Sequence, residues 1–176
     1  MGFSERYGYK SAREIIQKDS IDDELKNTLW SIFHTFIWNN VRQSGAYGYT
    51  TSSNIYDLIH IYWLKTFKEP TDTIPLITSD AIKIIRDYFF SCAWHEIYTL
   101  IEKTADNYPV SLINKNKEKF IKSINSTLER ENSAYRLIDN EITPITSEQE
   151  IQSIEEALEN TSIYSGVEQH LNQALK

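Results

Sequence analysis

Cys92 and His95 stand three residues apart, so on one helical turn their side chains can meet, and a thiol beside an imidazole is the minimum for an activated thiolate. Glu96 would project elsewhere from the same helix and leave the imidazole without an orienting carboxylate. A structural cysteine is the expected reading. Asp57 and His60 offer an oxygen and a nitrogen ligand on one turn, as carboxylate-bridged di-metal bundles do. Such a centre needs that motif twice and two further carboxylates. His60 also falls off the apolar stripe of Ile55, Leu58, Ile59 and Tyr62, which places it at a rim. His34 and His170 are scattered, and no two of the four histidines share a helical metal-binding spacing. Gly45 and Gly48 lack the strand and the following lysine of a phosphate loop. The expectation is therefore no catalytic residue, no metal and no cofactor.

Two other sets are suited to binding. Lys115, Lys119 and Lys122 run along one predicted helix and, with Arg136, could meet RNA phosphates. A formal net charge of -7 and a pI near 5.1 argue against a domain built mainly to hold a nucleic-acid backbone. The lysines read first as a solvated face, with RNA or DNA as the alternative partner. Trp38, near a helix end beside a loop carrying Tyr47 and Tyr49, is the candidate recognition group, whereas Trp30, Trp63 and Trp94 read as core anchors.

The elements that must position these residues are mostly helical. The 176 residues include 40% hydrophobic and 12% aromatic residues, enough for a packed core, and only 5 Gly and 4 Pro, too few for a turn-rich sandwich or barrel. Ser20 or Asp22 caps a helix to about residue 41, with Ile21, Leu25, Leu29, Ile32, Phe33, Phe36 and Ile37 at three- and four-residue steps. Residues 44–53 form the loop expected to be most mobile in the first half. A second helix spans 54–67. A third starts at Ser79 or Asp80 and reaches about 105. Its two stripes, Ala81, Ile84, Ile85, Tyr88, Phe89 and then Trp94, Ile97, Tyr98, Ile101, are out of phase, which predicts a break at 91–93. Residues 116–131 bury Phe120, Ile121, Ile124 and Leu128.

Residues 134–145 break the helical period, and Asp139-Asn140 suits a two-residue hairpin turn. Pairing across it sets Leu137 opposite Ile142 and Tyr135 opposite Pro144, all on one face, with Arg136 and Thr143 on the other. Ser147 to Glu150 forms a capping box ahead of a short acidic helix, and residues 166–176 enter another helix with no stop signal. The fold class is thus mainly α, a bundle of about six helices with one small hairpin. Ile15 and Ile16 are expected to be buried behind an N-terminal arm of residues 3–9. The single cysteine, the missing signal sequence and the lack of a membrane-length apolar run point to the cytoplasm and away from any membrane.

Three stretches together resemble a known family. They are Phe3-Ser4-Glu5-Arg6-Tyr7-Gly8-Tyr9, then Ile21-Asp22-Asp23-Glu24-Leu25-Lys26-Asn27-Thr28-Leu29-Trp30, and Glu129-Arg130-Glu131-Asn132-Ser133-Ala134-Tyr135-Arg136 running on to Ile142-Thr143-Pro144-Ile145-Thr146-Ser147-Glu148. They resemble one N-terminal domain type of AbiJ-like bacterial abortive-infection proteins, with the third stretch the most specific. The resemblance implies a phage-defence role and a following HEPN domain, often a metal-independent ribonuclease toxin, as partner within the same protein. It implies a domain over 1–160 and, over 161–176, a linker and the start of that next domain. It further implies a sensing, regulatory or interaction module, a homodimer of the parent, and a phage-derived trigger. No arginine here stands at the HEPN spacing before a histidine, so the toxin's chemistry is expected outside this chain.

Overall fold

The computed structural model describes residues 17–44 and 47–145, with the backbone alone for 113–115. The expected N-terminal arm, the burial of Ile15 and Ile16, the capping box at Ser147, the last two helices and the domain boundary near 160 lie outside the described residues.

Helix α1, Asp23–Phe36, starts where Asp22 Oδ1 accepts the Leu25 N–H at 2.8 Å, so Asp22 is the cap and Ser20 is not. Asp23 and Glu24 lie in the positively polarised first turn. The helix stops short of residue 41. Ile37 leaves helical geometry, and a 3-10 turn, Trp38–Asn40, swings the Trp38 ring inward. Helix α2, Tyr56–Ile61, continues as a π-helix over Tyr62–Phe67, a widened turn inside the expected 54–67 helix. Lys68 ends it at φ 57, and the N–H groups of Lys68 and Glu69 both donate to the Trp63 carbonyl.

Helix α3 is Thr78–Ser91 and starts one residue before the expected Ser79 or Asp80. Its N-terminus carries no side-chain cap. Instead the Thr78 N–H and hydroxyl both donate to the Gly48 carbonyl, at 3.0 and 3.1 Å, so a loop closes the helix. The expected break falls at Cys92 and Ala93, both extended, and α4 follows over Trp94–Asp106. Helix α5, Ile113–Arg130, ends with Asn132 at φ 50 and the Ser133 N–H on the Leu128 carbonyl, which is a Schellman stop.

Strands β1, Tyr135–Ile138, and β2, Glu141–Pro144, pair antiparallel with Tyr135 opposite Pro144 and Leu137 opposite Ile142, the register read from the sequence. Asp139 and Asn140 both have positive φ, 49 and 66, the geometry a two-residue hairpin loop requires. The fold is mainly α, with five α-helices and this one hairpin among the described residues. No helix among them is long and apolar enough to cross a membrane.

Helix α1 packs on α5, and α4 packs on the π-helix. Rings of Trp30, Phe33, Trp38, Tyr62, Phe89 and Phe120 interlock where these elements meet. Three buried phenols keep their polar ends satisfied. Tyr62 pairs with the Thr104 hydroxyl, Tyr98 with Ser133 Oγ at 2.8 Å, and Tyr108 donates to the Phe36 carbonyl at 3.1 Å. Burial pushes Tyr98 and Tyr108 up to about 12 and Tyr62 further still. A raised folded-state pKa favours the neutral phenol. The stability it secures is whole below pH 10 and is lost as pH climbs through about 12. Absorbance titration should accordingly show these buried tyrosines ionising only together with loss of the circular-dichroism signal.

Candidate functional site

The helix break separates Cys92 from His95. Cys92 caps α3 with its Sγ directed at the Phe89 carbonyl, 3.6 Å away, while His95 sits in the first turn of α4 with 59% of its side chain exposed. Glu96, expected to project elsewhere, stands beside the histidine, its Oε1 3.6 Å from Nδ1, and its Oε2 accepts from the Tyr88 hydroxyl at 3.3 Å. The break turns α4 so that Glu96 faces back along α3. Burial pushes the Cys92 thiol above its usual range, Lys26 offsets part of that, and Glu96 adds to it. A protonated, half-buried thiol next to a carboxylate is poorly suited to nucleophilic attack. Iodoacetamide should therefore alkylate Cys92 more slowly at neutral pH than it alkylates an exposed thiol of a short peptide; an equal or faster rate would contradict this environment.

Asp57 is exposed, and His60 is half-buried with its ring 6.0 Å from that of Tyr56, as a rim histidine should be. Among the described residues no three His, Cys, Asp or Glu side chains gather as a metal site would need.

The basic set is only partly assembled. Lys119 and Lys122 are exposed on α5, and the Lys115 side chain lies outside the described residues. Lys122 shares a shallow hollow of about 440 Å³ with Glu118, Ile121, Asn125, Ser126 and Glu129, so carboxylates are interleaved with the ammonium group. Such a mixed face draws phosphate weakly. Arg136 is half-buried and donates from one guanidinium nitrogen to the Ser133 and Tyr135 carbonyls, both at 2.9 Å. It braces the entry to β1.

Trp38 does not join the loop tyrosines at the surface. It is 7% exposed and packs against Trp30, Phe33 and Tyr62, with its indole Nε1 buried and without a hydrogen-bond partner among the described residues. The 3-10 turn after Ile37 is what redirects it. Tyr47 and Tyr49 are 74% and 39% exposed and stack on each other, centroids 5.6 Å apart and planes 25° from parallel.

The backbone beneath the two tyrosines is fastened. Gly48 lies at φ 69, and its carbonyl holds the start of α3. Tyr49 bridges to Ile77, the Thr50 N–H donates to the Leu76 carbonyl at 2.8 Å, the Thr50 hydroxyl donates to the Pro75 carbonyl, and Gln43 bridges to Ser53. The loop expected to be the most mobile is thus an anchored platform, with Leu76, 67% exposed, next to it. The sequence shows Gly48 but not its partner Thr78, 30 residues on. A Cβ at position 48 would meet Gln43 Oε1 at 3.0 Å in a backbone conformation that suits only glycine. Gly48→Ala should cost about 1–2 kcal/mol in urea unfolding.

One hollow escaped sequence reasoning. Trp63, Phe67, Glu69 and Thr73 from the π-helix and its exit, with Ile84 and Tyr88 from α3, line a cavity of about 340 Å³. Ile84, expected in the core, is 43% exposed at its edge.

Compared with known proteins, the chain matches a family model described as AbiJ N-terminal domain 4 over residues 1–160. No curated protein and no solved structure matches it.

Proposed function

The chain belongs to the AbiJ N-terminal domain 4 family, a domain type of abortive-infection proteins, and from that premise we propose that it is the non-catalytic recognition and regulatory module of a phage-defence protein. In this reading the toxic activity resides in a HEPN ribonuclease domain of the same protein, and this domain holds that activity until a phage-derived trigger arrives. The family match over residues 1–160 is the observation that carries it. The disposition of reactive groups supports it. Cys92 faces a backbone carbonyl with its thiol pKa raised, and Arg136 holds the hairpin backbone. The Tyr47 and Tyr49 rings, by contrast, stand out on backbone hydrogen-bonded to the start of α3, the arrangement expected of a recognition surface.

The test uses the whole gene in a bacterial host challenged with phage. Tyr47→Ala combined with Tyr49→Ala should abolish protection while the purified protein keeps its melting temperature, and Cys92→Ser should leave protection intact. Full protection by the double variant would remove the recognition role, and loss of protection with Cys92→Ser would overturn the non-catalytic reading. Salt-sensitive RNA binding that vanishes on Lys119→Glu with Lys122→Glu would favour a nucleic-acid module instead.

A further inference from the structure

Among the described residues, the hollow between the π-helix and α3 is lined by three aromatic rings, one aliphatic side chain, one threonine and one carboxylate, with no lysine or arginine in its wall. Trp63 and Phe67 meet edge to face, centroids 5.0 Å apart, and Phe67 lies 4.7 Å from Tyr88, so ring surface from two elements converges on one space. The donors in this wall are already committed. The Trp63 indole N–H donates to Thr73 Oγ1 at 3.1 Å, Thr73 Oγ1 donates to the Pro70 carbonyl at 2.7 Å, and the Tyr88 hydroxyl donates to Glu96. What the wall still offers a guest is π surface and acceptors, above all the carboxylate of Glu69.

A guest that suits such a wall must bring donors or positive charge of its own together with an apolar body. Aromatic rings attract cations through the negative face of the ring, and a carboxylate at the rim adds to that attraction. An anion would meet only Glu69 here, and a neutral polar molecule would find few donors. The volume, about 340 Å³, lies within the range of small-ligand pockets. The π-helix is itself a costly geometry that recurs at functional sites, and here it supplies Trp63 and Phe67 to the wall. The net charge of -7 draws cations toward the molecule as a whole.

We infer that this hollow is a binding site for a small organic cation, an alkylammonium or guanidinium with an apolar body. The inference stands apart from the proposed function, because it rests on the wall of the cavity and not on the family or the tyrosine loop.

The test is a nuclear magnetic resonance titration of the full chain, with the Trp63 indole N–H as reporter and sodium chloride at matched ionic strength as control. The probes are choline, agmatine and 3,3-dimethyl-1-butanol, the last being the uncharged isostere of choline. At least one cation should give a saturable shift of the Trp63 signal, and the isostere should bind roughly 5-fold more weakly than choline or not at all. Glu69→Gln alters an exposed residue and should leave the rest of the spectrum in place. It should weaken the cations roughly 5-fold without changing the isostere. Equal response to choline and its isostere, cation binding unaffected by Glu69→Gln, or no saturable shift from either cation up to about 0.1 M would each overturn the assignment.

Discussion

Phe33→Ala should lower the unfolding free energy by about 3–5 kcal/mol, the range for deleting a large buried ring. Phe33 is 1% exposed and carries α1 into contact with two other helices at once. Its ring lies 5.7 Å from Phe89 on α3 and 5.4 Å from Phe120 on α5, edge to face in both cases, and stacks toward Trp30 and Trp38. Removal therefore opens a cavity bordered by rings from four elements, and rigid rings collapse poorly into the space. A domain of ordinary stability has only about 5–15 kcal/mol in total, so this one change brings the folded state close to its limit. His34→Ala, one position along on the exposed face, should stay within about 0.5 kcal/mol. Urea unfolding of the two variants side by side checks the prediction. A loss below about 1.5 kcal/mol for Phe33→Ala would mean that the rings do not act as a common core.

That core was legible because its periodicity is strong. Leu25, Leu29, Ile32, Phe33 and Ile37 follow the helical stripe and are buried, and Asp22 stands where a cap is needed. The hairpin was legible to the register, since a two-residue turn and a period of two leave no alternative pairing that keeps Leu137 and Ile142 on one face. The break near Cys92 followed from two stripes that do not join. Other features turn on contacts that local spacing does not encode. A π-turn preserves much of the apolar pattern of an α-turn, so Tyr62–Phe67 reads as ordinary helix. Trp38, expected beside the loop tyrosines, and Ile84, on a good helical stripe, end on opposite sides of the expectation. A 3-10 turn redirects the first. The second lies at the edge of a hollow instead of in a packed layer. The Cys92 and His95 spacing does not fall on one helix, because α3 ends at Ser91 and α4 begins at Trp94. Of the candidate site, the Tyr47 and Tyr49 loop was visible as composition. Its anchoring by Thr78, Pro75 and Leu76 needed the fold.

Asn125→Ala should cost about 2–3 kcal/mol, well beyond the usual effect of an asparagine on a helix surface, because Asn125 acts as a substitute strand. Leu137 sits in a pair of β1 and β2 whose backbone groups point away from each other, so its N–H and C=O need partners outside the hairpin. Asn125 on α5 supplies both. Its Oδ1 accepts the Leu137 N–H at 2.7 Å and its Nδ2 donates to the Leu137 carbonyl at 2.8 Å. The side-chain amide thereby reproduces one peptide unit of a neighbouring strand. On the opposite edge, Glu102 of α4 accepts the Ile142 N–H at 2.7 Å, and Pro144 has no N–H to satisfy. Two helices thus close both edges of a two-stranded sheet that alone would be marginal. Alanine at 125 leaves a donor and an acceptor of the nearly buried Leu137 unpaired at once. Aspartate keeps the acceptor but sets a carboxylate oxygen against the Leu137 carbonyl, so Asn125→Asp should be no better tolerated at neutral pH. Glutamine at 102 retains an acceptor, and Glu102→Gln should cost less than about 1 kcal/mol. Hydrogen exchange reads the mechanism directly: in Asn125→Ala the Leu137 amide should lose most of its protection while the Leu29 amide in α1 keeps its own. Uniform loss across both elements would show instead that the hairpin and the helices unfold as one unit.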